Sequence, residues 1–206
     1  MAEVAILDYG VGNLLSVERA LNCLGITSYR TNKEEEVLRA SHLILPGVGA
    51  FGAAISVLNE NNLDQVVKRF ARTGKPVLGI CLGMQLLFNE SHEFGVHTGL
   101  GLIPGTVKPI SGAMCEKEKI PSIGWKNLTV NNPSQNPFQI SKQGYYYFVH
   151  SFMGIPEIST DLIATYQYGG VSIPAIVRKD NVIGVQFHPE KSAQDGLELI
   201  RKFSSL

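Results

Sequence analysis

Lys75 to Phe88, KPVLGICLGMQLLF, carries a cysteine between two glycines, Gly79 and Gly83, with an apolar run on either side. The first run, Pro76 to Ile80, reads as a short buried strand. The second, Met84 to Phe88, starts a helix. Cys81 therefore stands at the corner between them, in a Gly-x-nucleophile-x-Gly elbow with cysteine in the serine position. Such a turn holds its central residue in a strained backbone conformation, and its neighbours must be small. The corner is also a helix N-terminus, which favours thiolate over thiol. It leaves the Leu82 N–H free to receive an oxyanion. A buried structural cysteine would suit the same turn, so the reading needs partners elsewhere in the chain.

Around this corner, the first half of the chain alternates strand and helix. Val4 to Leu7 is a short buried strand. Leu14, Val17, Leu21 and Leu24 recur at helical spacing and Gly25 stops them. Ile26 to Arg30 reads as a second strand, Lys33 to Ala40 as a short polar helix, and His42 to Leu45 as a third strand ended by Pro46 and Gly47. Ile55, Leu58, Leu63, Val66, Val67 and Phe70 line one further helical segment, stopped by Gly74. Repeated units of this kind predict an α/β fold with a mostly parallel central sheet and helices on both faces. From Gly101 to Gln186 the period changes. Strands are predicted over Thr106 to Ile110, Trp125 to Val130, Tyr145 to His150, Leu162 to Tyr168, Ala175 to Arg178 and Val182 to Gln186. Asp180-Asn181 forms the turn between the last two. Ser192 is placed to cap a final helix that buries Leu197, Ile200 and Phe203. No linker separates the halves, so the later strands read as antiparallel additions to one domain, residues 1–206.

Composition narrows the function. The chain has 206 residues, 44% of them hydrophobic, with 18 basic and 18 acidic residues. Zero net charge without a basic cluster argues against nucleic acid or an anionic membrane as a partner. No apolar run approaches the roughly 20 residues of a membrane span. MAEVAILDYG has no basic region before its apolar run and reads as a strand, not a signal peptide. Three widely spaced cysteines suggest a reducing cytoplasm and no disulfide framework. Gly10-Val11-Gly12 lacks the third glycine of a dinucleotide loop, because Leu15 stands there. The His and Cys spacings suggest no zinc site. No metal or cofactor is expected.

A thiolate nucleophile needs a base, and the base an orienting group. Five histidines are available. His42 opens an apolar strand, and His92 and His97 flank a polar loop. His150 ends the aromatic strand GYYYFVH and could reach the sheet edge. His188 is the strongest candidate, because it follows the strand VIGVQF and has Glu190 two residues on, able to set the imidazole tautomer. His-Pro-Glu would also make an ordinary turn. Pro46-Gly47-Val48-Gly49 follows a strand end, where two glycines let a backbone N–H approach a ligand. It could equally be a plain Pro-Gly turn.

Taken in order, PGVGAFG (46–52), GICLGMQLLF (79–88) and GVQFHPEKS (184–192) resemble the class I, or triad, glutamine amidotransferases. DYGVGNLLSV, GLGLIPGTV, IPSIGWKNL and YYYFVHSF look like the branch formed by glutaminase subunits of imidazole glycerol phosphate synthase. The resemblance spans essentially the whole chain. It implies a flavodoxin-like fold and a Cys81, His188, Glu190 triad. Cys81 would attack the glutamine carboxamide, His188 would shuttle the proton, and Glu190 would orient His188. Val48, Gly49 and Leu82 would supply the oxyanion hole. Gly49, Gln85, Glu93, His150 and Ser151 would contact the substrate. The resemblance also implies a heterodimer with a (βα)₈-barrel cyclase subunit that receives the ammonia through a channel. A related glutaminase serving another synthase, such as a sugar amidotransferase, is the alternative. Two residues depart from the family pattern: Phe152 replaces a tyrosine, and Lys126 follows Gly-Trp where asparagine is usual.

Overall fold

The computed structural model describes residues 3–140 and 144–206. Its centre is an eight-stranded sheet. Four strands come from the first half: β1 (Glu3–Leu7), β2 (Thr27–Thr31), β3 (His42–Gly47) and β4 (Val77–Cys81). Between them run α1 (Leu14–Cys23), α2 (Glu34–Arg39), α3 (Phe51–Glu60) and α4 (Leu63–Arg72). The short α5 (Leu82–Leu86) follows β4. The next elements are β5 (Phe88–Ser91), β6 (His97–Thr98), β7 (Ile103–Pro109), β8 (Ser122–Asn127), β9 (Thr129–Val130), β10 (Tyr145–His150) and β11 (Phe152–Pro156). Last come β12 (Leu162–Tyr168), β13 (Val171–Lys179), β14 (Val182–Val185) and α6 (Ala193–Phe203).

The large sheet runs β2-β1-β3-β4-β14-β13-β12-β9. The pairings from β2 through β14 are parallel, and those beyond are antiparallel. The parallel core and the antiparallel additions β13, β12 and β9 are as expected. β14, read as one of the additions, is instead a parallel strand of the core paired with β4. β8 with β10, and β7 with β11, lie in two smaller sheets. Alternate residues of each parallel strand bury on opposite faces. Val4, Ile6, Ile44 and Leu78 pack with Val17 and Leu21 of α1 and Ile200 and Phe203 of α6. Ala5, Leu7, Leu43 and Leu45 pack with Leu58 of α3 and Val67 and Phe70 of α4. Burial on both faces is why these strands read as unbroken apolar runs. In such a sheet ligands bind beyond the carboxyl ends of the strands. There β3 delivers the Pro46–Gly49 loop, β4 delivers Cys81 and β14 leads to His188.

Local punctuation behaves as expected. Gly25 and Gly74 follow α1 and α4 with φ of 70° and 79°, and Asp180-Asn181 joins β13 to β14. Four features differ. The single helix expected over Ile55 to Phe70 is two, broken where Asn62 adopts φ 56°. Both helices bury one continuous apolar stripe, so the spacing conceals the break, and asparagine tolerates the left-handed conformation. The helix after Cys81 stops at Leu86 and Phe88 enters a strand. The returning chain takes its carbonyls: Leu100 N–H donates to Leu86, and Leu102 N–H to Leu87. Trp125 to Val130 divides into β8 and β9, which join different sheets. In α6, Leu199 is buried where Leu197 was expected, and Leu197 is only partly covered. No helix among the described residues is long and apolar enough to cross a membrane.

Candidate active site

Cys81 ends β4 with φ 54° and ψ −110°, a strained combination for a residue with a Cβ. The flanking glycines are sterically required. A Cβ on Gly83 would lie 1.8 Å from the Leu45 carbonyl oxygen, and one on Gly79 would lie 2.7 Å from the Gly83 carbonyl oxygen. Gly47 is equally tight, since its Cβ would meet the Tyr9 hydroxyl at 2.8 Å and the Gly83 nitrogen at 2.9 Å. The Tyr9 hydroxyl donates to the Pro46 carbonyl at 2.7 Å. Burial, and secondarily the charge of Cys81, push the Tyr9 phenol well above its ordinary pKa, so it remains a donor.

His188 stands beyond β14, 2% exposed. Its Nδ1–H donates to Glu190 Oε1 at 2.8 Å, and both side chains are sealed from solvent. The other ring nitrogen, Nε2, has no hydrogen-bond partner among the described residues and is left to the Cys81 sulfur. Burial opposes the imidazolium. Interaction with the Cys81 sulfur and the Glu190 carboxylate outweighs it and raises the His188 pKa to about 10. Ser192 stands at the N-cap position of α6 as expected, and its carbonyl accepts the Gly196 N–H at 3.0 Å, but its side chain makes no cap hydrogen bond. Its hydroxyl donates to the His188 carbonyl at 2.6 Å and accepts the Tyr147 N–H at 2.9 Å. The hydroxyl clamps the His-Pro-Glu turn instead of the helix N–H groups.

Cys81 and His188 line one cavity of about 400 Å³, together with Val48, Gly49, Leu82, Gln85, Glu93, His150 and Ser151. The structure thus gathers every expected site residue except Glu190, which sits behind His188. Val48 is exposed and Gly49 has φ 96°. The N–H groups of Val48, Gly49 and Leu82 make none of the described turn and loop hydrogen bonds. Gln85 Nε2 donates to the Phe152 carbonyl and to Gln186 Oε1, each at 3.0 Å. Its own carbonyl oxygen has no partner among the described residues. Glu93 is not a solvated loop carboxylate. It is buried, and its Oε2 accepts the Phe51 N–H at the start of α3 at 2.6 Å.

His150 is neutral. Burial lowers its pKa to about 4, helped by the charge of His188 and opposed by the Phe152 carbonyl. A carbonyl only accepts, so Nδ1 carries the proton to Phe152 at 2.7 Å. Nε2 is then an acceptor for the Tyr166 hydroxyl at 2.8 Å. With both ring nitrogens engaged, His150 offers the cavity ring carbon and backbone rather than a charge. His92 pairs with Glu90 at the surface, and His97 packs on Phe51. His42 lies beside Phe203 at the opposite end of β3. Lys126 places its ammonium 4.9 Å from the Tyr168 ring centre, on the strand face opposite Trp125.

Sequence reasoning missed Gln186, whose Nε2 donates to the Cys81 sulfur at 3.8 Å. A signal was present: one amide inside the apolar run VIGVQF, fully buried. A buried polar side chain needs a partner. Phe94 was also missed. It is 89% exposed, has φ 53°, and leans edge-on against Phe152 at the cavity mouth.

The raised pKa of His188 carries a pH prediction. The folded value, about 10, exceeds the ordinary value of about 6.5. The stabilisation is therefore complete below about pH 6.5 and is lost as pH rises toward 10. Glu190→Gln removes one of the two partners. Its urea midpoint is expected to fall furthest below wild type at pH 6 and to approach it at pH 10. A deficit that grows with pH would contradict the pairing.

The family model for glutamine amidotransferase class-I matches residues 5–205. Imidazole glycerol phosphate synthase subunit HisH 1 of Legionella pneumophila (strain Lens) is 44% identical, the alignment covering 98% of this chain and 99% of the relative. Subunit HisH of Lactiplantibacillus plantarum is 43% identical, with 98% and 95% covered. Among solved structures, a glutamine amidotransferase superposes with TM-score 0.76 at 20% identity over 98% of this chain and 99% of that one. PurLQS from Thermotoga maritima gives TM-score 0.76 at 20% identity, covering 98% of each chain. These structures share the fold. The family model and the full-length relatives show the family: the chain belongs to the class I glutamine amidotransferases, in the branch that contains the HisH subunits.

Proposed function

We propose that this chain, as one amidotransferase domain over residues 1–206, is the glutaminase subunit of an imidazole glycerol phosphate synthase. It hydrolyses L-glutamine to glutamate and ammonia for a cyclase subunit in histidine biosynthesis, in the cytoplasm. The observation that carries the reading is Cys81 at a strained elbow, sharing one cavity with a His188 held 2.8 Å from a buried Glu190.

Cys81 gives its proton to His188 Nε2, forming a thiolate–imidazolium pair, and the thiolate attacks the carboxamide carbon of glutamine. The oxyanion is received by the N–H of Leu82 and by the Val48–Gly49 segment. Collapse breaks the C–N bond, and the imidazolium returns its proton to the departing ammonia. Water, deprotonated by His188, then cleaves the glutamyl thioester, and glutamate leaves. Gln85 presents its free carbonyl oxygen to the substrate. Glu93 supplies negative charge for an α-ammonium while tying down α3. Gly49 and the His150–Ser151 backbone complete the cradle.

Ammonia in water near neutral pH is mostly non-nucleophilic ammonium, so a partner must receive it directly. The β8–β10 ribbon suits that partner. Ile123, Trp125 and Tyr145 are exposed on one face, with Trp125 opposite Tyr147 and Ile123 opposite Val149. Pro121 and Val149 carry this face to the cavity wall. The test measures glutamate release by the chain alone, with a cyclase subunit, and with cyclase plus its nucleotide ligand. Activity concentrated in the last mixture supports the proposal. Brisk activity alone points to a free-standing hydrolase, and none with cyclase points to a different synthase. Trp125→Ala is expected to weaken cyclase binding at least about 30-fold, the loss of an aromatic anchor, while basal turnover of the chain alone is unchanged. Calorimetric titration reads the first and a glutamate assay the second.

A further inference from the structure

We infer that Gln186 is a further catalytic residue, whose side-chain amide donates an N–H to the Cys81 sulfur while Gln85 holds that amide in the donating orientation. The inference rests on the reading of Cys81 as nucleophile.

The orientation follows from a chain of donors and acceptors. The Phe152 carbonyl only accepts, so the Gln85 atom 3.0 Å from it is the amino nitrogen. The same nitrogen lies 3.0 Å from the Gln186 side chain, and the atom it meets there must be the carbonyl oxygen. The other end of the Gln186 amide is therefore the NH₂ group, 3.8 Å from Cys81 Sγ. A flipped Gln186 would set amino group against amino group, and turn its oxygen toward the sulfur. Both glutamines are buried, Gln186 completely, so water cannot substitute for either contact.

Other groups act on the same sulfur. His188 shares its cavity and interacts with it, and Glu190 and His150 act through His188. Tyr9 faces it from the loop after β1, and Glu93 shares the cavity. The helix that Cys81 begins has only five residues, so its dipole is small. Gln186 is the donor aimed at the sulfur that carries no charge of its own and so acts at every pH. It favours thiolate over thiol before attack. It favours the same thiolate again when the thioester is hydrolysed and sulfur must leave.

The test is alkylation of the chain by iodoacetamide across pH 5 to 10, quantified for each cysteine by peptide mass spectrometry. The exposed Cys23 and Cys115 serve as internal references. For Gln186→Leu the Cys81 profile is expected to move up by about one pH unit, about tenfold less reaction at neutral pH, with Cys23 and Cys115 unchanged. Gln85→Leu, which leaves Gln186 in place but frees its amide, shifts the profile the same way by a smaller amount. It carries the test if Gln186→Leu melts early. Profiles that superpose on wild type overturn the inference while leaving Cys81 as nucleophile. Wild-type Cys81 reacting no faster than Cys23 and Cys115 at neutral pH overturns the nucleophile reading as well.

Discussion

Cys81→Ala is expected to lower glutamate release from L-glutamine by about 10⁴-fold or more, in every mixture with cyclase and ligand. That corresponds to about 5.5 kcal/mol of transition-state stabilisation. No other described side chain in the cavity replaces the sulfur. Gln186 Nε2 donates to it and His188 shares its cavity, and neither supplies a nucleophile in its place. Alanine keeps a Cβ at φ 54°, so the strain of the elbow remains and stability gains little from the change. The variant should therefore melt within a few degrees of wild type and still bind the cyclase. With the sulfur gone, the imidazolium of His188 loses one of its two supports, and its pKa falls below the wild-type value. A variant that keeps a tenth of wild-type activity would move the chemistry away from Cys81.

Gly83→Ala is expected to be the most damaging single methyl group in the elbow. Its Cβ would stand 1.8 Å from the carbonyl oxygen of Leu45 and 2.9 Å from the carbonyl carbon. Both are backbone atoms of β3, so no side chain can swing away. Either β3 or α5 must shift, which costs about 3 kcal/mol or more. For a chain of this size that lowers Tm by roughly 6–12 °C. The displaced segment is the one that runs into Pro46–Gly49, so the oxyanion loop moves with it. Residual folded protein is then expected to lose most of its glutaminase activity. Gly25→Ala is the control, since Gly25 has φ 70° but nothing within 4 Å of its added Cβ. It incurs only the left-handed backbone strain, about 1–2 kcal/mol. Equal melting temperatures for the two variants would show that the elbow has slack that its geometry does not suggest.

The two variants separate the chemistry of the elbow from its shape. Cys81 carries the reacting atom, and Gly83 allows β3, β4 and α5 to approach closely enough to present it. The same distinction applies at His188. Glu190 sets its tautomer through Nδ1, whereas Ser192 fixes the turn that holds it without touching the ring.

Features that depend on near neighbours were legible in the order of residues. Gly79 marks the elbow from nearby, because its clash would be with the Gly83 backbone; the clash at Gly83 is with Leu45 of β3, which only the fold brings close. Gly25 and Gly74 mark helix ends because positive φ is a local property. His188 and Glu190 pair because they stand only two positions apart. The parallel core was legible because strands buried on both faces leave continuous apolar runs. Contacts between groups far apart along the chain came only with the packing of the elements. Glu93 meets the first turn of α3 across 42 residues, Ser192 meets Tyr147 across 45, and Gln85 meets Gln186 across 101. The break at Asn62 was hidden because two helices bury one stripe, and Phe88 became a strand because a returning segment took its backbone hydrogen bonds. A side chain's partner is set by which elements the fold brings together. For the buried amide of Gln186, a residue that periodicity marks only as out of place, the fold decides which atom faces the sulfur.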